Sequence, residues 1–319
     1  ETAVLFLDVS GFTKLSEKLA TKKFGAEELA EFLNQYFSQL VRIIYRSGGD
    51  VLKFAGDAMI VLWPEATAEE TLSKLVRRAA MCGTAIQEHM HNAELADGVT
   101  LSVKVGIGAG SVSMLHVGEM GMRQEYLPTG APLDQAFECE GFAVQGDIIL
   151  SGRAYELANA DAPVLDAERI DGSSVYKLRQ VITPLKNRST AVVDDTDIED
   201  EHMRSYLPAA VLCRLDAEQE IWAAEMREAT TVFINLDMNS NPDFVTADDE
   251  GKGTMIHHAL CAVQRAVYRY EGSLNKCLFD DKGFTCIAAF GLPPHAHVDD
   301  PARGLLAAVE AHALLQLLG

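Results

Sequence analysis

Between Ala3 and Val9 every side chain is apolar except Asp8, the pattern of a strand buried on both faces. A helix is predicted to open at Thr13 and to be interrupted at Lys22-Lys23-Phe24-Gly25. From Ala26 onward Leu29, Phe32, Leu33, Phe37, Leu40, Val41 and Ile44 recur at helical spacing, until Gly48-Gly49 ends the run. Residues 51–63 then read as a hairpin reversing at Ala55-Gly56-Asp57-Ala58, closed by Pro64. A second long helix is predicted over 67–92 and a strand containing Lys104 over 101–107. Gly106, Gly108 and Gly110 follow as turn residues, since their spacing is not that of a dinucleotide-binding fingerprint. A strand and turn are predicted through 111–130, a helix over 133–142, and short strands over 147–150 and 175–181.

The same order begins again near residue 230. Thr231 to Leu236 repeats the first strand, and a helix over 254–270 leads into Tyr268 to Lys276. That segment aligns without a gap with Tyr45 to Lys53, at an offset of 223 residues. Residues 279–291 repeat the hairpin, which is read as one residue longer, and 301–318 repeat the second helix. The economical division is a first copy over 1–182, a connecting stretch over 183–229, and the N-terminal part of a second copy over 230–319. Within the connection, Asp194 to Glu201 reads as a solvated acidic linker and 203–229 as helix, docking back on the first copy.

In a strand–helix–hairpin unit the first two strands point the same way. The end of the first strand and the turn after the second therefore share a sheet edge, which brings Asp8 and Asp57 together although 49 residues separate them. Two carboxylates beside a glycine-containing turn and a helix N-terminus suit a divalent metal and phosphates. Lys104, in an apolar strand, needs a carboxylate or phosphate partner. The two copies differ chemically: Asn235 stands where the first has Asp8, and a lysine, Lys282, follows the acidic pair of the second hairpin. One site shared by two unequal halves fits this better than two sites.

The net charge of −20 argues against sequence-independent nucleic-acid binding and makes a metal cation the natural companion of a polyanionic nucleotide. Six scattered cysteines without a C-x-x-C pair read as free thiols in a reducing compartment. No run is long enough for a membrane span. His89-x-His91 and His295-x-His297 have the spacing of metal pairs, but no cysteine or third histidine accompanies either, so both read as surface residues.

Three stretches, Phe6-Leu7-Asp8-Val9-Ser10-Gly11-Phe12-Thr13, Gly48 to Ala58 with its Leu52-Lys53-Phe54-Ala55-Gly56-Asp57, and Val103-Lys104-Val105-Gly106, carry a resemblance. With Leu274-Asn275-Lys276 and Asp281-Lys282-Gly283 of the second copy, the chain resembles the class III nucleotide cyclases, in particular soluble, bicarbonate-responsive adenylyl cyclases with tandem catalytic domains. The resemblance implies an α/β (α+β) fold with a ferredoxin-like βαββαβ core in two copies, paired head to tail with the site between them. It also implies conversion of ATP to 3′,5′-cyclic AMP and pyrophosphate. Asp8, Asp57 and the carbonyl of Val9 would hold two Mg²⁺ ions (Mn²⁺ or Ca²⁺ as alternatives), which activate the ribose 3′-hydroxyl and neutralise pyrophosphate. Ser10, Gly11, Phe12, Thr13 and Lys104 would bind phosphates, and Lys276 would read adenine, which favours ATP over GTP. Lys53 is the retained member of a regulatory anion site whose arginine is replaced by Phe137. The transition-state asparagine and arginine are expected from the second copy beyond Gly319. The first-copy helix carries Asp134 and Glu138 at those places, so the 319-residue chain is expected to be inactive by itself. A larger C-terminal region and a cytoplasmic location, with a cilium or flagellum as an alternative, complete the expectation. The rival reading is a catalytically impaired cyclase-like module serving a larger assembly.

Overall fold

The computed structural model describes every residue except 23, 24, 66, 68, 69, 95–97, 120, 187–199, 218–226, 281, 282 and 319. Most of the acidic run 194–201 and the turn Asp281-Lys282 therefore lie outside the described residues. Contacts divide the chain into two units, Glu1–Val112 with Gly130–Val192, and Ser113–Thr129 with Val193–Gly319.

In the first unit the elements are β1 (Thr2–Ser10), α1 (Phe12–Ala20), α2 (Gly25–Arg46), β2 (Asp50–Ala55), β3 (Ala58–Pro64), α3 (Leu72–Met90), β4 (Ala93–Glu94) and β5 (Thr100–Gly110). After a hairpin that belongs to the second unit, β6 (Ser113–Val117) and β7 (Glu125–Thr129), come α4 (Ala131–Phe142), β8 (Ile148–Ser151), α5 (Gly152–Asn159), β9 (Leu165–Arg169) and β10 (Val175–Val181). The strand order is β2-β3-β1-β5-β8-β10-β9, with β4 on β5. The sequence reading omitted β4, β9 and α5. β1 lies between antiparallel β3 and β5, and β5 runs parallel to β8.

The two faces of the central strands divide the labour. Leu5, Leu7 and Val9 of β1, with Val103, Val105 and Ile107 of β5, share the main core with Leu40 and Ile44 of α2 and with Leu75, Val76 and Ala79 of α3. The opposite face, carrying Phe6, Asp8, Lys104, Gly106 and Gly108, looks toward α4: Phe6 meets Phe137 edge-on at 4.8 Å, and Cys139 bonds to the carbonyl of Ile107.

The Gly106-x-Gly108-x-Gly110 spacing corrects the sequence reading. All three lie within β5, not in a turn after it. Their period of two puts them on one face, and a Cβ at Gly106 or Gly108 would stand only 2.0 Å from Ala136 O or 2.1 Å from Pro132 O. They are the bed on which α4 lies.

The second unit contains α6 (Asp200–Arg204), α7 (Ala209–Asp216), β11 (Thr230–Leu236), α8 (Pro242–Thr246), α9 (Asp249–Arg269), β12 (Ser273–Asp280), β13 (Gly283–Phe290) and α10 (Asp300–Gln316), besides β6 and β7. Of the helix expected over 203–229, residues 218–226 lie outside the described residues; in the described part α6 and α7 are separate helices, because Pro208 lacks an amide hydrogen and stands at the start of α7. This segment touches the β6–β7 hairpin, which falls within the span 1–182 read as the first copy: His116 contacts the Tyr206 hydroxyl at 2.7 Å, and Gln124 N donates to Ser205 O. The hairpin shares a core with α9 and the three-stranded sheet β11-β13-β12 through Val117 and Leu127.

The internal repeat reaches the level of packing. Trp63 lies against Gly49, where a Cβ would be 2.5 Å from its ring, and Phe290 lies against Gly272 at the same 2.5 Å. Both second strands carry a bulge at the corresponding residue, Leu52 between Val51 and Lys53, and Asn275 between Leu274 and Lys276. Beyond the bulge the copies differ by more than the one residue expected. Lys53 pairs with Ile60, seven positions on, but Lys276 pairs with Ile287, eleven positions on. The second hairpin is thus four residues, or two rungs, longer.

Candidate active site

The site is built at the C-terminal end of β1. Asp8 pairs in register with Ala58 of β3 and with Lys104 of β5, so Asp57, in the two-residue β2–β3 turn, is beside it. Gly56 takes the first position of that turn with a φ of 78°, a conformation glycine adopts without steric cost. After Ser10 the chain turns into α1 through Gly11, whose φ is 104° and where a Cβ would lie 2.6 Å from Thr100 O. No side chain caps the start of α1. The N-cap residue, Gly11, offers the first amides no side-chain acceptor, and they point out of the positive end of the helix.

Lys104 reaches across this edge. Its ammonium is 3.9 Å from Asp8 Oδ2 and in direct contact with Glu140 of α4. The predicted need for an acidic partner is met twice, and Glu140 is a residue the sequence reading did not single out. Helix α4 is fixed by Gln135, whose amide oxygen accepts from Ala109 N at 3.2 Å and from Ser151 Oγ at 2.8 Å. Asp134 and Glu138, by contrast, are exposed.

The electrostatics are out of balance. Burial pushes the Asp8 carboxyl above its ordinary value; the charges of Asp57 and Glu140 push the same way, and Lys104 opposes them. Asp8 and Glu140 thus share the Lys104 ammonium, and the charge of Asp57 adds to theirs. An added cation relieves this repulsion, so the donor set fits a divalent metal held by oxygen ligands.

In β2, Lys53 is half-buried just past the bulge, and Lys276 has the corresponding place in β12. Within the second unit, Arg123 of the β6–β7 loop donates to the carbonyls of Leu274 (2.6 Å) and Asn275 (3.0 Å), pinning the strand beside Lys276. Fully buried Gln264 fixes this loop in turn, donating to Arg123 O and accepting from Glu119 N. Neither role was legible in the sequence, since both depend on contacts between residues more than 140 positions apart. Phe137 fills the face beside Phe6 with an aromatic contact.

Residues 1–177 match the adenylate and guanylate cyclase catalytic domain. Adenylate cyclase type 10 of Oryctolagus cuniculus is 28% identical over 96% of this chain and 20% of its own length; that of Homo sapiens is 26% identical over the same shares. The chain therefore spans about a fifth of these relatives. Among solved structures, the adenylyl cyclase CyaB from P. aeruginosa aligns over 58% of this chain and 96% of its own at 26% identity, with a TM-score of 0.47. With more than half of its length matched by the family, the chain belongs to the adenylate and guanylate cyclase catalytic domain family.

Proposed function

We propose that the protein is an adenylyl cyclase forming 3′,5′-cyclic AMP and pyrophosphate from ATP, with metal held on its first copy. The observation that carries this reading is the edge where Asp8 and Asp57 lie side by side at an uncapped helix start, with Lys104 in register. Similarity to relatives named adenylate cyclase type 10 over nearly the whole chain supports the choice of reaction.

In this reading Asp8, Asp57 and the carbonyl of Val9 hold two Mg²⁺ ions, with Mn²⁺ and Ca²⁺ as substitutes for the same hard oxygen ligands. Ions held by these residues would supply Lewis acidity toward the ribose 3′-hydroxyl and positive charge toward pyrophosphate. The amides of Ser10 to Thr13 receive phosphate oxygens at the start of α1. Lys104 shifts from Glu140 to the triphosphate as substrate arrives, exchanging one anion for another. Lys276 of the second copy hydrogen-bonds the adenine edge, and Lys53 has no catalytic part. With Phe137 packed on Phe6, no bicarbonate activation through Lys53 is expected.

The test is cyclic AMP formation from ATP by the full-length protein with Mg²⁺ or Mn²⁺, with and without bicarbonate, beside Asp57→Ala. Product from the wild type and a loss of at least about a hundredfold in the variant is the expected result. No product from folded wild-type protein with either metal defeats the proposal and favours a non-catalytic module.

A further inference from the structure

In the second unit, the turn after α9 and the loop between β13 and α10 bring together three metal-ligating side chains that no cyclase role uses. Glu271, His295 and His297 offer donor atoms that all lie within 4.8 Å of one another. The third ligand that the His-x-His spacing lacked comes from a residue 24 positions earlier in the chain.

Two further features set this cluster apart from a chance surface grouping. The first is backbone conformation. Glu271 has a φ of 58°, a left-handed conformation that disfavours any residue with a Cβ, and its counterpart in the first copy is Gly48 at 77°. A glycine would suit this helix-ending turn, so the carboxylate is kept against the local preference of the chain.

The second is a shielded imidazole nitrogen held against a carboxylate. His297 Nε2 is shielded from solvent and makes no well-directed hydrogen bond, although Glu271 Oε2 lies only 2.9 Å away. Two ligands at about 2.05 Å from one ion and at right angles to each other are about 2.9 Å apart, and at the tetrahedral angle about 3.3 Å. The pair, now an ion pair, would have to open by about 0.4 Å to flank a tetrahedral ion. His295, which is exposed, has a donor nitrogen within 4.8 Å of both.

The surroundings support the ligands as outer partners do at metal centres. Arg303 donates to Glu271 Oε2 at 2.7 Å and to Asp299 at 3.0 Å, which orients the carboxylate and leaves lone pairs to spare. The His297 backbone amide donates to Asp300 Oδ2 at 2.9 Å and fixes the loop on the first turn of α10.

We infer that Glu271, His295 and His297 form a transition-metal site, with Zn²⁺ as the ion that two imidazoles and one carboxylate favour, separate from the oxygen-lined edge at Asp8 and Asp57. Mg²⁺ and Ca²⁺ select oxygen donors and do not compete well for imidazole. Bound zinc ties the end of α9 to the entry of α10, so it stabilises the second unit.

The 319-residue chain is titrated with ZnCl₂ in excess Mg²⁺ by calorimetry and by thermal unfolding, beside Glu271→Gly and His297→Ala. Glu271→Gly removes a ligand but installs the glycine of the first copy, so its metal-free Tm should equal or exceed that of the wild type. The wild type should take up one zinc more than either variant and gain about 5–10 °C at a hundredfold excess over Kd, with the gain lost in both. Zinc uptake and Tm gain equal in all three proteins, or a wild-type Tm unmoved by zinc, would overturn the assignment.

Discussion

Replacing Gly106 by alanine tests the role assigned to the β5 glycines. The new Cβ would stand 2.0 Å from Ala136 O and 2.7 Å from Glu140 N, both backbone atoms of α4, whereas ordinary contact begins at 3.4 Å. No side-chain rotation relieves a clash with backbone, so α4 must retreat by about 1.4 Å or β5 must buckle. Overpacking of this kind costs about 1–3 kcal/mol. The backbone entropy that alanine removes from the unfolded chain returns at most about 1 kcal/mol. The net expectation is a loss of about 2 kcal/mol, or a Tm lower by about 4–8 °C for a unit of this size. Because the displaced turn of α4 carries Glu140, the Lys104–Glu140 pair should break as well. Gly141→Ala, on the same helix with nothing within 4 Å of the new Cβ, is the matched control and should be neutral or stabilising by up to about 1 kcal/mol. Thermal and urea unfolding of both variants decide the matter: a Gly106→Ala protein within about 0.5 kcal/mol of the wild type would refute the packing argument.

Asp8→Asn tests the electrostatic imbalance. Since the folded state raises this carboxyl, it holds the proton more tightly than the unfolded chain does, and the stability so gained is lost as pH rises through the raised value. The metal-free variant should therefore be more stable than the wild type at pH 7 and no more stable in acid, while Mn²⁺ binding by the wild type weakens as pH falls; a variant less stable at pH 7 contradicts this. Lys276→Glu in the full-length protein should lower kcat/KM for ATP about 10–100-fold by removing a hydrogen bond to the base, and an unchanged ATP-to-GTP preference would remove Lys276 from base recognition. Gly49→Ala and Gly272→Ala put a Cβ 2.5 Å from Trp63 and Phe290, so each should cost about 1–3 kcal/mol in unfolding experiments. A neutral result for one alone would break the equivalence of the copies.

What the sequence disclosed and what it hid follow from the range of the interactions. Periodicity over seven to twenty residues placed β1, α2, the β2–β3 hairpin and α9, because each buries a face that its own residues define. The meeting of Asp8 with Asp57 was legible too, since strand–helix–hairpin order fixes which ends share an edge. The glycines of β5 were misread because a glycine in a turn and one beneath a helix look alike until the helix is in place. Glu140 was missed for a related reason: it becomes the partner of Lys104 only through the seating of α4 on those glycines. The second copy makes the same point in reverse. Its gapless match from Tyr268 to Lys276 showed where the repeat lies, but only the ladder past the bulge at Asn275 showed two added rungs. The second ladder ends at the Asp280–Gly283 pair, two rungs further on than the Ala55–Ala58 pair of the first copy, and Asn235 has already replaced the other carboxylate. Loss of charge and loss of register thus act together: restoring an aspartate at Asn235 would not rebuild a metal edge, because Asn235 pairs with Thr285, two residues inside the Asp280–Gly283 end of the ladder, whereas Asp8 pairs with Ala58 at the end itself.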